Sequence, residues 1–308
     1  MPSGFHNTSL HLTNEQIAAK ICTPLKPIRS YSSIALTVLS FVLAGIAILP
    51  LFSLLWTILS KGIPLLSWES FTSLPAPVGQ EGVANGFANA IVGTLTMVFM
   101  ATLISVPVGI CTAIYIAEFT PTTAASSISS IVRFTMQVLS GVPSIVVGVF
   151  AYAVIVLTFK GFSAIAGSIA LTIVMLPIIS LTTEGALKLV PISLRLASSG
   201  LGASRFQTIA RIVLPTALPS ITTGILLAIS RAAGETAPLI FTALFSQNWA
   251  QGLDKPTPSL SVMIYNYSSS PFIEQNKLSW AACVVLVVLV LVSSVLSRLA
   301  TQRRIKLR

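Results

Sequence analysis

The stretch that decides the fold of this sequence is ISRAAGETAPLI, residues 229–240. It lies inside an apolar run from Leu218 to Phe245, which is long enough to cross a bilayer because a membrane helix needs about 20 mostly apolar residues. Arg231 falls near the middle of that run, and Glu235 follows one helical turn later. On a helix, a spacing of four residues places both side chains on one face. The sequence therefore predicts an ion pair inside the membrane.

Two interpretations of this pair are open. An ionisable side chain at the bilayer centre costs about 2.5–3.5 kcal/mol on insertion scales, and such residues usually face protein or water and mark transport paths. The pair is either a structural ion pair that neutralises itself or a polar site on a transport path. The second interpretation assigns Arg231, Glu235 and Thr236 to the path, together with Arg133 near the start of an earlier apolar segment.

Pro238 favours the interpretation as a path. Its ring has no N–H and crowds the carbonyl of Gly234, four residues earlier, so we expect the helix to kink beside the charge pair. Backbone groups freed by a kink are tolerated at membrane depth only against protein or a hydrated cavity. Pro143, inside the sequence SGVPS at 140–144, predicts a second kink.

The composition is that of a membrane protein. Of the 308 residues, 54% are hydrophobic and only 8% are charged, and the mean hydropathy is +0.90, whereas soluble domains average about 25% charged residues. We expect an all-α polytopic membrane protein. The only histidines are His6 and His11, and the three cysteines are isolated from one another. We therefore expect no metal site, no cofactor and no catalytic residue.

Six apolar segments are predicted to span the membrane. They cover residues 32–59, 86–116, 131–159, 162–181, 218–245 and 279–296, and the second is interrupted by Pro107 and Gly109. The predicted parts of the chain are a tail over 1–30, a permease domain over 31–300 and a basic tail over 301–308. Inside the domain, residues 182–212 form a charged loop and residues 246–278 a polar loop.

The positions of lysine and arginine predict the orientation. With both tails, the 118–133 turn and the 182–212 loop on one side, that side carries thirteen basic residues; the other side carries four, and Arg231 lies within the membrane. The positive-inside rule then places both termini and the 182–212 loop in the cytoplasm of a plasma (inner) membrane protein. The net charge of +10 is explained by this bias and by contact with membrane lipid, so no nucleic-acid partner is expected.

The sequence contains no nucleotide-binding P-loop, because the pattern G-x-x-x-x-G-K-[ST] does not occur in it. Its acidic residues and histidines also form no hydrolytic constellation. We expect a transport protein rather than an enzyme, and energy for active transport must come from an ion gradient or from a partner.

The 182–212 loop has helical character broken by glycine. Pro191 suits a helix start, Gly200 and Gly202 form a break, and Ser204 with Gln207 matches a capping box. Two short helices joined at a glycine turn would protrude as a compact knob. The same arginines would also suit an amphipathic hairpin lying on anionic lipid, and the spacing alone leaves both interpretations open.

This loop resembles the EAA loop of ATP-binding-cassette (ABC) importer permeases, in which the loop docks on the ATPase subunit. The matching positions run from L-A-S at 196–198 through Gly202 to I-V-L-P at 212–215. One departure is Leu196, where the family has an acidic residue. The resemblance implies a type I importer permease fold and assigns coupling to Ala197, Ser198, Gly202, Arg205, Ile212, Leu214 and Pro215.

A narrower resemblance lies in the opening stretch. Residues 231–239 are similar to the R-A-x-G-E-T-A-P-L segment of phosphate importer permeases of the A type, and further similar segments lie at 93–95, 107–109, 140–148 and 264–271. The resemblance covers about residues 30–300. It implies a heterodimer with a second permease subunit, two cytoplasmic ATPase subunits and an external phosphate-binding protein.

Three functions remain possible at this point. The first is a phosphate permease driven by a partner ATPase, in which Arg231 meets the oxyanion because guanidinium groups suit phosphate. The second is a permease of the same architecture for molybdate or sulfate. The third is a gradient-driven carrier that uses Arg231 and Glu235 as a proton relay.

Overall fold

The structure, a computed structural model, describes residues 27–78, 83–119 and 123–305. Within these ranges the chain forms helices and connecting turns. Most of the predicted N-terminal tail and the last three residues lie outside the described residues. The helices are α1 (Pro27–Gly62), α2 (Trp68–Thr72), α3 (Ala88–Glu118), α4 (Thr123–Gly141), α5 (Ser144–Phe159), α6 (Ala164–Lys188), α7 (Ile192–Gly200), α8 (Arg205–Gly234), α9 (Ala237–Thr242), α10 (Leu260–Ser268) and α11 (Ile273–Ile305).

Five of the six predicted spans correspond to single helices, and the third corresponds to a bent pair, so the count reaches six when that pair is taken as one span. In the described part of the chain, α1, α3, α6, α8 and α11 are each long and apolar enough to cross a bilayer. Helices α4 and α5 pass the same test as a pair bent by 106°. Pro143 lies in the break with φ −57° and ψ 133°, because a proline cannot continue the helix before it and restricts the residue that precedes it. The predicted kink at Pro143 is thus a sharp break.

Several predicted boundaries and one predicted interruption differ from the observed helices; α11, for example, begins at Ile273 and not at residue 279. Helix α6 runs to Lys188, beyond the predicted end at Leu181, so Glu184 and Lys188 belong to its last turns and not to the following loop. Helix α3 passes through Pro107 and Gly109 without interruption. Neighbouring helices make a proline tolerable in a membrane helix, and Gly109 packs so closely on α6 that a Cβ there would lie 2.7 Å from Cγ2 of Ile179.

The chain divides into two compact units, which are described separately. The first ends at Thr57 and contains most of α1, whose apolar side chains are largely exposed, as expected of a lipid-facing helix. The second begins at Ile58 and contains all other helices.

Helix α6 lies at the centre of the second unit. Its buried side chains join those of α3 and α9 in one core, with Met97, Leu171, Met175, Ile179 and Leu239 among them. Small residues let helices approach closely in membranes. Gly224 of α8 is one example, because a Cβ there would lie 2.2 Å from Oγ1 of Thr182 on α6.

The expectation of a polar loop over residues 246–278 was wrong in one part, because this segment contains α10. Leu260, Met263 and Tyr267 are buried and follow each other at helical spacing. Ser259 caps the helix by accepting a hydrogen bond from the backbone N–H of Val262. The backbone N–H of Leu260 donates to Oγ1 of Thr94 on α3 at 2.9 Å. These contacts fix α10 against α3.

Candidate substrate and coupling sites

The membrane helix that carries Arg231 ends beside it. Helix α8 stops at Gly234, Glu235 is extended with φ −70° and ψ 128°, and α9 begins at Ala237. The predicted kink at Gly234 and Pro238 is therefore a complete break between two helices. Pro238 lies in the first turn of α9, where its missing N–H leaves no helix bond unmade. Thr236 precedes α9, and its carbonyl accepts the N–H groups of two residues in that helix.

The predicted ion pair forms across this break. Nε of Arg231 lies 3.2 Å from Oε1 of Glu235, although Glu235 is outside the helix, and not on its face as expected. The Arg231 side chain is 50% exposed and that of Glu235 is 12% exposed. Oγ of Ser261 on α10 donates to the backbone carbonyl of Glu235 at 2.8 Å. The Glu235 backbone is thus fixed, and the half-exposed Arg231 reaches Glu235 through Nε.

Arg231 lines a small cleft that the break between α4 and α5 also forms. The cleft has a volume of about 10 Å³, which is room for about one water molecule. Its walls come from three places, the α4–α5 break, α6 and Arg231, with Leu139, Ser140, Val142, Ser144, Val147, Val174 and Ile178 as the other lining residues. The cleft therefore lies at the α4–α5 break and faces Arg231, in the last turn of α8.

Arg133 does not join the Arg231 pair. Its Nη2 lies 2.5 Å from Oε1 of Glu184 on α6, and Nζ of Lys188 lies 2.6 Å from the same oxygen. Arg133 and Ser140 are seven residues apart on α4, which corresponds to about 10 Å along the helix. Nε of Arg133 is buried and has no acceptor among the described residues. Arg133 and Lys188 therefore form one basic group, and Arg231 forms another at a different height along the helices.

The predicted glycine turn is present between α7 and α8. Gly202 has a φ of +79°, a conformation that residues with a Cβ rarely adopt. Ser204 and Gln207 form the predicted capping box, since each side chain bonds the other residue's backbone N–H. Oγ of Ser198 and Oγ1 of Thr208 lie 2.9 Å apart and join the two helices. We call residues 189–208 the hairpin.

Comparisons with known proteins agree with this geometry. The family model described as binding-protein-dependent transport system inner membrane component matches residues 109–306. The phosphate transport system permease protein PstA of Yersinia pestis is 42% identical over 251 residues, which cover 80% of this chain and 83% of that protein. The PstA of Haemophilus influenzae is 39% identical, over 86% of this chain and 92% of its own. This chain belongs to the PstA family.

The solved structures that match this PstA-family chain support the fold. One is a chain of a bacterial alginate ABC transporter in complex with an alginate-bound periplasmic protein, with a TM-score of 0.63 and 17% identity over 91% of this chain and 98% of that one. At this identity the match speaks for the fold alone. The predicted type I importer permease fold is confirmed.

The residues that the EAA resemblance assigned to coupling fall into two groups in this PstA-family chain. Ala197, Gly202 and Arg205 are exposed on the hairpin, while Ser198 is buried in its hydrogen bond. Ile212, Leu214 and Pro215 lie farther along α8 and are partly buried. Leu214 packs on a core of α3, α6 and α8 side chains below the hairpin.

Three contacts near these sites were not predicted from the sequence, although two of them had a signal there. Glu118 pairs with Arg195, which is 77 positions away in the chain, and no local sequence pattern predicts such a pair. Ser261 was missed because its helix was taken for a loop, although the cap at Ser259 and the spacing of the apolar residues after it indicated a helix. Glu184 and Lys188 are four residues apart, which is the spacing of an ion pair on a helix.

Proposed function

We propose that this chain is the membrane-spanning permease subunit of an ATP-driven inorganic phosphate importer and forms half of its translocation pathway. The observation that carries the proposal is Arg231, a half-exposed cation at a helix break inside the membrane, within a chain of the PstA family. A guanidinium offers a planar fork of donors that matches two oxygens of a phosphate.

The surroundings of Arg231 also suit an oxyanion. Ser144 begins α5 and lines the cleft, and the amino end of a helix carries unsatisfied N–H groups and partial positive charge. Glu235 neutralises Arg231 when no substrate is present, so the cation is not left alone in the membrane. Because the cleft holds only about one water molecule, phosphate enters after the two breaks move apart.

Arg133 is proposed as part of a second binding site for the anion. It faces Glu184 about two helical turns from the cleft, and its buried Nε has a donor to spare. A phosphate leaving Arg231 would next meet the Arg133 and Lys188 cations, which share one carboxylate. Thr236 lies beside the ion pair at the break, where its hydroxyl can contact the passing anion.

The hairpin is proposed as the dock for a cytoplasmic ATPase. Its outer surface carries exposed apolar side chains, Ile192, Leu196, Leu201 and Phe206, that suit burial against a protein partner. Leu196 replaces the acidic EAA residue, so this contact is apolar where the family has a charge. Since the sequence has no P-loop, the partner supplies ATP hydrolysis.

The proposed assembly has one of this chain, one PstC-like permease, two PstB-like ATPases and an external PstS-like phosphate-binding protein. Both termini and the 182–212 loop face the cytoplasm of the plasma (inner) membrane, on the count of basic residues. The predicted domain limits, with tails at 1–30 and 301–308, belong to this proposal.

Two measurements test the proposal together. Mild detergent extraction of the tagged chain should co-purify an ATPase and a second permease. The same complex in vesicles, supplied with binding protein and internal ATP, should accumulate labelled phosphate, and excess sulfate or molybdate should not compete. Competition by either anion would indicate that the transported substrate is another oxyanion. Uptake that persists without ATP and stops when the ion gradient is removed would indicate the carrier.

A further inference from the structure

One arginine of the hairpin joins it to the ends of two membrane helices. Nη1 of Arg195 on α7 lies 2.5 Å from each carboxylate oxygen of Glu118, and Nη2 donates to the backbone carbonyl of Leu187 at 2.8 Å. Glu118 is the last residue of α3, and Leu187 is in the last turn of α6. Carbonyls in a last turn have no partner within their own helix, and that of Leu187 also accepts the backbone N–H of Val190, after the end of α6, at 3.3 Å. A single guanidinium therefore holds both helix ends.

The second half of the hairpin holds the same end of α3. Cζ of Arg205 lies 5.0 Å from the ring centroid of Phe119, the residue that follows Glu118, within the range of a cation–π contact. The Ser198–Thr208 hydrogen bond closes the hairpin between these two arginines. Displacement of the hairpin must therefore displace the end of α3 with it.

The energetics of the Arg195 pair favour a role in orientation. Glu118 is 8% exposed and Arg195 is 24% exposed, so solvent screens the pair weakly. The desolvation of such a pair offsets much of its attraction, and apolar side chains of similar size would hold the helices as firmly. A guanidinium fork, however, fixes the angle at which its partners meet. Removing one partner alone leaves a buried charge uncompensated.

We propose that Arg195 is a positioning residue that transmits movement of the docked hairpin to α3 and α6. The proposal rests on the proposed function of the hairpin as the ATPase dock. Helix α6 carries the motion onward, since Ile178 lines the cleft and lies nine residues from Leu187, about 13 Å along the same helix. ATP binding at the dock thereby moves a wall of the Arg231 cleft.

The test compares Arg195→Ala, Glu118→Ala and the charge swap of Arg195→Glu with Glu118→Arg in the purified full complex. Lys255→Gln, an exposed lysine in the segment between α9 and α10, controls for loss of positive charge. Three quantities are measured: ATPase retained on the complex, ATP hydrolysed, and phosphate accumulated per ATP. Hydrogen exchange of residues 113–119 is followed with and without a non-hydrolysable ATP analogue.

We expect both alanine variants to keep the ATPase and to hydrolyse ATP, but to lose about tenfold or more in phosphate per ATP because the contact that orients the helices is gone. In the wild type, the ATP analogue should change exchange at residues 113–119, and Arg195→Ala should abolish that change. The swap should restore the exchange change, since it rebuilds the contact with α3, but only part of the phosphate per ATP, because the carboxylate of Arg195→Glu cannot donate to the Leu187 carbonyl. Lys255→Gln should alter neither quantity.

Some results would overturn the inference. They are normal phosphate per ATP in the alanine variants, loss of the ATPase from them, failure of the swap to restore the exchange change at 113–119, or no nucleotide-dependent change at 113–119 in the wild type. A wild-type complex that shows the exchange change but accumulates no phosphate would instead overturn the proposed substrate and leave the transmission through Arg195 standing.

Discussion

Gly148 lies directly against Pro238. A Cβ on Gly148 would stand 2.7 Å from Cα of Pro238 and 3.2 Å from the carbonyl oxygen of Ala237. These residues belong to α5 and α9, the two helices that begin after the breaks in the third and fifth spans. The contact is between backbones, so neither side can move a flexible side chain away. The arrangement that brings Arg231 to the cleft therefore requires glycine at this position.

Replacing Gly148 with alanine should separate α5 from α9. Overpacking a close contact costs about 1–3 kcal/mol, and here the backbone itself must shift. We expect less assembled complex, a lower midpoint of thermal unfolding in detergent, and phosphate uptake reduced even per assembled complex. Gly185→Ala is the matched control, because a Cβ there meets nothing within 4 Å. Equal uptake by Gly148→Ala and Gly185→Ala would contradict this account of the two breaks.

The membrane spans could be predicted because the apolar composition of each segment is enough to indicate them. An apolar run of 20 or more residues has few alternatives in a bilayer, and the proline positions 143 and 238 correctly located both breaks. The extent of each break could not be predicted, since it depends on packing between α5 and α9, which the local sequence does not encode. The same holds for Glu118 and Arg195, which meet only after α3 and the hairpin have been placed.

The site was predictable to the level of the Arg231–Glu235 pair, because both residues lie within one helical turn of sequence. Its geometry was not, since Glu235 leaves the helix and Ser261 fixes its backbone from a helix 26 positions later. Arg133 illustrates the same limit. A single basic residue at a span's start gives no sign of which acidic group it will face.

The turn of the hairpin depends on the conformation of Gly202. At its φ of +79°, an L-residue costs about 1–2 kcal/mol, and a β-branched one more. Gly202→Val should tilt α7 relative to α8 and weaken ATPase recruitment, measured as the ATPase-to-permease ratio after purification. Gly200→Ala serves as the control, since it is helical and a Cβ there has open space. Wild-type recruitment and uptake in Gly202→Val would contradict the assignment of the dock.

Glu184 holds two cations, and its removal should matter more than removal of either. Its side chain is 7% exposed, while those of Arg133 and Lys188 are 37% and 51% exposed. Glu184→Gln removes the carboxylate and leaves both cations facing each other near a buried site. Removing one partner of a buried ion pair is strongly destabilising, because the remaining charge is uncompensated. Lys188→Gln removes a largely solvated contact worth about 1 kcal/mol or less. Thermal unfolding of the complex in detergent should show a clear loss for the first and little for the second. The reverse order would rule out Glu184 as the centre of this cluster.

Arg231 should contribute to transport through the planar geometry of its guanidinium group as well as through its charge. Arg231→Lys keeps a cation in the cleft but replaces the planar fork by a point charge on a flexible stem. One hydrogen bond to a charged group is worth about 1.5–3 kcal/mol, so we expect uptake at equal amounts of assembled complex to fall roughly 10- to 100-fold. Assembly should be unchanged, since the Arg231 side chain is half exposed.

The paired substitution of Arg231→Leu and Glu235→Leu separates the two interpretations of the ion pair. If the pair only neutralises itself, removing both charges leaves nothing uncompensated, and transport should continue. If Arg231 binds the anion, transport should stop even though the complex assembles. Glu274→Gln with Lys277→Gln removes an exposed ion pair of 3.0 Å elsewhere in the chain and controls for loss of a pair as such. Near-normal phosphate uptake by the double-leucine variant, matched to that control, would mean that the pair is structural and that the pathway runs elsewhere.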